Sequence, residues 1–257
     1  MKYEVYNGHR ITYYDGDIAE LPAERFNKFN KFIMLDANLG SDLQDLNERI
    51  NRIRAYIKKE PEKAESELNN FQQSIQLIFK GINPSHLAAC ALITEVDGIK
   101  YTEVTDQSIM QVYDKLKHKL PHAWFARFLK WVKKKIDTEL EAYYPGQFSD
   151  ARTNEYYEKV RKRILLVCEG IQKGELPDTS QLDYEILTFV KPLDFAGPKN
   201  PEIRHEKNFA DLCFLIGKEM GGNPKKLPVL DFYQALETIK KIRHGRKSNK
   251  NKRPVRR

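Results

Sequence analysis

The chain has 257 residues, of which 40% are hydrophobic, 31% charged and 11% aromatic, proportions that exclude general disorder and allow one large folded domain or two smaller ones. Its formal charge is +8, yet the eighteen residues from Lys240 to Arg257 hold ten Lys or Arg and no acid. The body before them carries 34 basic residues against 36 acidic ones, so a near-neutral body ends in a cationic tail. No apolar run approaches the length of a transmembrane helix, and the N-terminus lacks the charged and apolar regions of a secretory signal.

The first expected element is a β-hairpin, Lys2–Tyr6 and Arg10–Tyr14 around Asn7-Gly8, a dipeptide suited to a two-residue turn. Asp15-Gly16-Asp17 reads as the turn that leaves it. Phe26, Phe29, Phe32 and Ile33 mark a helix that stops near Asn38 and Gly40. Ser41 and Gln44 stand at capping-box spacing and start the clearest helix, Ser41–Lys58. Its stripe Leu43, Leu46, Ile50, Ile53 and Ile57 predicts a buried face, with Arg49 on the solvent side. Pro61 opens an antiparallel partner with a stripe of Leu68, Phe71, Ile75 and Ile78, which Gly81 ends.

Pro84 and Ser85 begin a helix that is apolar on more than one face through Ile93, a central element closed by Asp97-Gly98. The segment Ile99–Val104 is open between strand and loop. Ile109, Val112, Leu116 and Leu120 predict a further helix. Phe125, Phe128, Val132, Ile136 and Leu140 predict a long one whose other face carries Lys130 and Lys133–Lys135. Ser149 caps the next, with Tyr156, Val160, Ile164 and Val167 on one side. A short helix over Tyr184–Val190 follows, then a proline-rich connector. Phe209, Leu212, Cys213 and Ile216 restart the helical period, and Leu230, Tyr233, Leu236 and Ile239 supply the last stripe.

These elements predict a mainly α fold: helical hairpins, a small N-terminal β-hairpin and a disordered basic C-terminal tail. The expected divisions are 1–122, a β-hairpin with a helical domain; 123–241, a second helical lobe; and 242–257, the tail. Cys90, Cys168 and Cys213 lie in apolar helical patterns without CxxC spacing and read as buried free thiols.

Catalytic chemistry has no motif here. GxGxxG, GxxxxGK[ST] and GxSxG are absent. His118 and His122 have the spacing that places two imidazoles on one helix face, but Pro121 interrupts it and no glutamate of an HExxH motif stands between. Asp15-Gly16-Asp17 lacks the later oxygen ligands of a calcium loop. The expectation is therefore no catalytic residue, no metal and no cofactor.

Binding is better represented. Trp124 and Trp131 on the long helix read as partner-packing residues in preference to membrane contacts. In the tail, Lys240, Lys241, Arg243, Arg246, Lys247, Lys250, Lys252, Arg253, Arg256 and Arg257 can neutralise phosphates or an acidic protein surface. No aromatic residue interrupts them, so stacking on bases has no platform there. A nucleic-acid-binding adaptor is the alternative reading.

Three stretches, PAERFNKFNKFIMLDANLGSD at 22–42, NNFQQSIQLIFKGINPSHLAACALITEVDG at 69–98 and GNPKKLPVLDFYQALETIKK at 222–241, resemble small helical tail-assembly proteins from the structural modules of tailed bacteriophages. They cover less than a third of the chain. The resemblance implies a non-enzymatic assembly or virion-associated scaffold role, with phage structural proteins, a tape-measure protein among them, as partners. It also implies residence in the host cytoplasm during assembly or in the virion. Phe232, Tyr233 and Leu236 match its aromatic and apolar helix and become candidate partner-binding residues. Self-association is compatible with the same seams.

Overall fold

The computed structural model describes residues 1–40, 42–145, 151–175, 177–189, 193–196 and 200–250, without side chains for 151–154, 187–188 and 244–250. The elements run β1 (Lys2–Tyr6), β2 (His9–Tyr13), α1 (Ala23–Leu39), α2 (Leu43–Tyr56), α3 (Pro61–Phe79), α4 (Pro84–Leu92), β3 (Ile93–Val96), β4 (Ile99–Lys100), α5 (Asp106–Leu116), α6 (His122–Tyr143), α7 (Ala151–Lys173), α8 (Ser180–Phe189), α9 (Pro201–Met220), a 3-10 turn at Pro224–Lys226, and α10 (Val229–Lys250). They form two units. The first comprises 1–35, 84–137 and 202–257, the second 36–83 and 138–201. The units interleave along the chain, and the boundary expected at 122/123 falls inside the first.

The first unit holds more sheet than expected. Asn7 and Gly8 both take positive φ, +47° and +80°, as a turn between right-twisted antiparallel strands requires. β1 and β2 then continue into a four-stranded antiparallel sheet in the order β1-β2-β3-β4. Ile93–Val96, expected as helix and its closing turn, is strand: Ile11 pairs with Val96 and Thr12 with Glu95, and the register shifts before Tyr13 meets Ile93. Ile99–Lys100, left open by the sequence, is the fourth strand. Asp97 and Gly98, at φ +52° and +84°, make a second hairpin turn.

The change from α4 to β3 has a local cause. Arg25, only 5% exposed, donates from Nη1 to the carbonyls of Ala91 (2.9 Å) and Ile93 (3.0 Å), and from Nη2 to Tyr101 O (2.5 Å). The Tyr14 N–H takes the Leu92 carbonyl at 3.0 Å. Carbonyls that a continuing helix would bond internally are thus held from outside, and β-branched Ile93, Thr94 and Val96 suit a pleated strand. Ile11, Tyr13, Ile93 and Val96 are buried, and Tyr13 meets Phe128 of α6 edge-on at 4.9 Å.

The starts of α1 and α10 are fixed by each other. Pro22 and Pro228 form an antiparallel bridge. The Ala23 N–H donates to Leu227 O and the Val229 N–H to Leu21 O, each at 2.8 Å. Each helix thereby satisfies an otherwise unpaired first-turn N–H with a carbonyl from the segment leading into the other.

The second unit corrects the stripe reading of α2 and α3. Ser41 lies outside the described residues; the N-cap is Asp42, which accepts from Asp45 N (2.9 Å), while the Asp45 carboxylate accepts from Asp42 N (3.2 Å). Arg49, expected to face solvent, is 2% exposed, whereas Leu43 and Ile57 of the expected buried stripe are 78% and 60% exposed. Ile50 is half-buried. On α3 the buried positions are Ala64, Glu67, Asn70 and Ser74, and Leu68 is exposed.

The inward face of these helices meets backbone, which explains its polarity. Arg49 donates to Glu67 and to the carbonyl of Asn38. Ser74 Oγ donates to Leu39 O (2.5 Å). Asn70 donates to Leu193 O (2.6 Å) and accepts from Phe195 N (3.1 Å). Carbonyls at a helix end and in a loop need donors once buried, and apolar residues have none. In the same unit α7 and α8 are joined by Lys159–Glu185 at 2.7 Å and by the Arg163–Asp183 pair.

α10 is described to Lys250, without side chains from 244, and 251–257 lie outside the described residues. Cys90 and Cys213 are buried free thiols as expected, but Cys168 is exposed, as are Ile164 and Leu165 of the same helix. Among the described residues no helix is long and apolar enough to cross a membrane.

Candidate functional site

The first unit contains a cleft of about 190 Å³ whose walls come from α1, α9 and α10. Helical periodicity builds each wall. Ala23, Phe26, Asn27 and Asn30 lie at i, i+3, i+4 and i+7 of α1, and His205, Asn208, Phe209 and Leu212 repeat that spacing on α9. Val229, Phe232 and Tyr233 come from the first turns of α10, which the Pro22–Pro228 bridge holds beside the start of α1.

Its aromatic members are already ordered. Phe209 stacks on Phe232 with centroids 5.7 Å apart, and Phe26 meets Tyr233 edge-on at 6.5 Å. Beneath them lies a core of Ala23, Cys213, Ile216, Phe232, Ala235 and Ile239. His205 Nε2 lies 3.0 Å from the main-chain carbonyl of Asn27. A carbonyl only accepts, so Nε2 carries the hydrogen and the neutral ring leaves Nδ1 as an acceptor. Asn27 is 8% exposed.

Charge is kept out of the cleft. Lys28 bonds Asp106 (2.8 Å) and Glu206 (2.6 Å), while Lys31 reaches Asp106 (2.6 Å), Glu202 (3.3 Å) and Glu206 (3.5 Å). Burial alone would lower the Lys31 pKa, but Asp106, Glu202 and Glu206 more than offset it and the net shift is upward. Asp106 moves the other way: burial raises it, Lys28 and Lys31 outweigh burial, and its carboxyl ends below the usual range. This network joins α1, the start of α5 and α9.

The sequence candidates divide accordingly. Phe232 and Tyr233 line the cleft and Leu236 packs against the core beneath it. Trp131 is 40% exposed on α6, with Lys2 Nζ 5.3 Å over its ring. Trp124 is corrected: it is 2% exposed, stacked on Phe128 at 5.1 Å, and belongs to the interior rather than to a partner surface. Lys240, Lys241 and Arg243 are exposed, and Arg243 lies 3.9 Å from Glu219. Arg246, Lys247 and Lys250 fall where side chains are not described, and Lys252, Arg253, Arg256 and Arg257 outside the described residues.

Sequence reading missed Asn27, Asn30 and Asn208. Their regular spacing was available, but polar residues on a helix ordinarily mark its solvent side, and only the pairing of α1 with α9 brings these to one cleft.

A histidine contact joins α4 to α6. His86 Nε2 and His122 Nδ1 are 2.8 Å apart, and His86 stacks on Phe125 with centroids 4.0 Å apart. Burial first, and His122 second, push His86 down to about 4. Among the described residues no group of three or more His, Cys, Asp or Glu is placed to hold a metal ion.

Comparison with known proteins returns no match to a family model, to a curated protein or to a solved structure. This corrects the labels that came with the resemblance: bacteriophage, tail assembly, virion and host cytoplasm have no related protein to carry them to this chain.

Proposed function

We propose that this chain is a non-enzymatic binding protein whose α1/α9/α10 cleft receives one ring-sized group from its partner. The cleft volume carries this reading. At about 190 Å³ it exceeds the ~150 Å³ cavity that is known to hold benzene, and four aromatic side chains line it. The charged residues beside it, Lys28, Lys31, Asp106 and Glu206, are spent in ion pairs that fix the helices, which supports a binding role for an uncharged group.

Ligand-observed NMR with toluene and indole tests it. Leu212 sits at the rim, 37% exposed, so Leu212→Trp fills the cleft from outside the core. Binding to the unaltered chain that disappears in L212W is expected. Signals equal in both, or absent from both, reject the cleft as the site.

A second reading, polyanion contact through the basic end, is favoured by the exposure of Lys240 and Lys241 on α10. Replacing Lys240, Lys241 and Arg243 by Gln should weaken binding to a duplex and flatten its salt dependence. An unchanged salt slope removes these residues from the reading.

A further inference from the structure

We infer that the group taken by the α1/α9/α10 cleft is a neutral heteroaromatic ring with hydrogen-bond donors and acceptors on its edge, of the nucleobase type. The inference rests on the proposed binding role of the cleft and specifies its ligand.

Three carboxamides line the cavity, those of Asn27, Asn30 and Asn208. None makes a side-chain hydrogen bond to another described protein group, although Asn27 is 8% exposed. An apolar occupant that displaced water from these amides would leave their N–H and C=O groups without partners, at roughly 1–3 kcal/mol each. An occupant with both a donor and an acceptor takes the place of that water, because a carboxamide presents an N–H and a C=O side by side. The accepting Nδ1 of His205, whose ring orientation is fixed by the Nε2 bond to Asn27 O, adds one more point of contact.

Shape and charge narrow the class. Phe26, Phe209, Phe232 and Tyr233 form walls suited to a planar ring, and about 190 Å³ accommodates one base. No Lys, Arg, Asp or Glu lines the cavity. Lys28 and Lys31 are bound to Asp106, Glu202 and Glu206, so neither a carboxylate nor an ammonium finds a counter-charge there. Amide readers between aromatic walls, without charge, are the donor and acceptor set by which a protein contacts the edge of an unstacked base.

Isothermal titration of the full chain with 9-methyladenine and 1-methylcytosine, beside toluene as an apolar control, tests the inference. The expected result is binding of at least one base that falls tenfold or more in Asn27→Leu and also weakens in Asn208→Ala, while toluene binding survives in both. Asn208 is exposed, so N208A reports even where N27L fails to fold. Toluene binding without either base overturns the inference and leaves the binding role standing. Failure of all three probes overturns both. Base affinity unchanged in both variants also overturns the inference. A short single-stranded oligonucleotide separates the sources of such a ring: tighter binding than its monomer supports a nucleic-acid base as occupant, and weaker binding supports a free base or nucleoside.

Discussion

Arg49 of α2 and Glu67 of α3 form an ion pair inside the second unit, their side chains 2% and 6% exposed. Arg52 Nε reaches the same carboxylate at 3.1 Å, and Arg49 also donates to the carbonyl of Asn38. One carboxylate therefore holds two guanidinium groups, and one of these closes the end of α1. Glu67→Ala leaves Arg49 buried without its counter-charge and should cost about 3–5 kcal/mol. The double variant R49M/E67M should recover most of that loss, and Leu43→Ser should change stability by less than about 0.5 kcal/mol. Urea unfolding checks all three; a larger loss in L43S than in E67A would reject the polar interior.

Arg25 holds the junction of α4 and β3 by three carbonyls. Arg25→Lys keeps the charge but offers one ammonium where a planar fork served separate acceptors. Two lost charge-assisted bonds amount to about 3 kcal/mol of stability. Amide exchange should quicken first in the segment from Ile93 to Tyr101. Protection there equal to that of the unaltered chain would show that the junction does not depend on Arg25.

Acid should act first through His86. His86 is lowered from 6.5 to about 4, so the unfolded chain binds a proton that the folded chain does not between those values. Its contribution is complete above pH 6.5 and is lost as pH falls toward 4. Allowing for the partial exposure of the ring, the loss is about 2 kcal/mol. Asp15 follows at lower pH. Burial raises its pKa, but bonds to Lys2 and Lys135 prevail and bring it from 3.8 to about 2, so its share is present above 3.8 and lost on descending to 2. Unfolding free energies measured from pH 7 to pH 4 should show a slope that His86→Phe removes. The same slope in H86F would assign the titration elsewhere.

Two glycines with nearly equal φ should respond differently to alanine. Gly16 and Gly8 have φ of +86° and +80°, but a Cβ on Gly16 would meet Val132 O at 3.0 Å and Ile136 Cγ1 at 3.2 Å, and one on Gly8 meets nothing within 4 Å. Gly8→Ala should cost about 1–2 kcal/mol through φ alone. Gly16→Ala adds overpacking against α6 and should cost a further 1–3 kcal/mol or so. Thermal unfolding of the two variants compares them directly.

Helices were legible where their apolar face met another apolar face. Ile109, Val112 and Leu116 are buried on α5, and Phe125, Phe128, Val132 and Ile136 on α6, as their spacing implies. The same periodicity misled on α2 and α3, because their partner is buried main chain whose carbonyls call for Arg49, Asn70 and Ser74. β3 was hidden for a related reason: the residue that ends α4 is Arg25, far away in sequence. Asp97-Gly98 did carry a hairpin signal, but the apolar run before it read as helix. At the cleft, Tyr233 was recoverable from its stripe and Phe232 came only with the resemblance, whereas Asn27 and His205 acquire meaning only when α1 and α9 are brought together.

The bridge between Pro22 and Pro228 has a consequence for the order in which the molecule is made. α1 leaves the ribosome early, yet its first-turn partner and the third wall of the cleft lie beyond residue 220. All residues of the second unit, which end at 201, emerge before the first unit has received its closing segment. The inserted unit can therefore finish folding while its host is still open, and α1 must wait with Ala23 and Phe26 uncovered. Nascent chains arrested before α10 should bind a chaperone that releases them once Val229–Ile239 is exposed to the solvent.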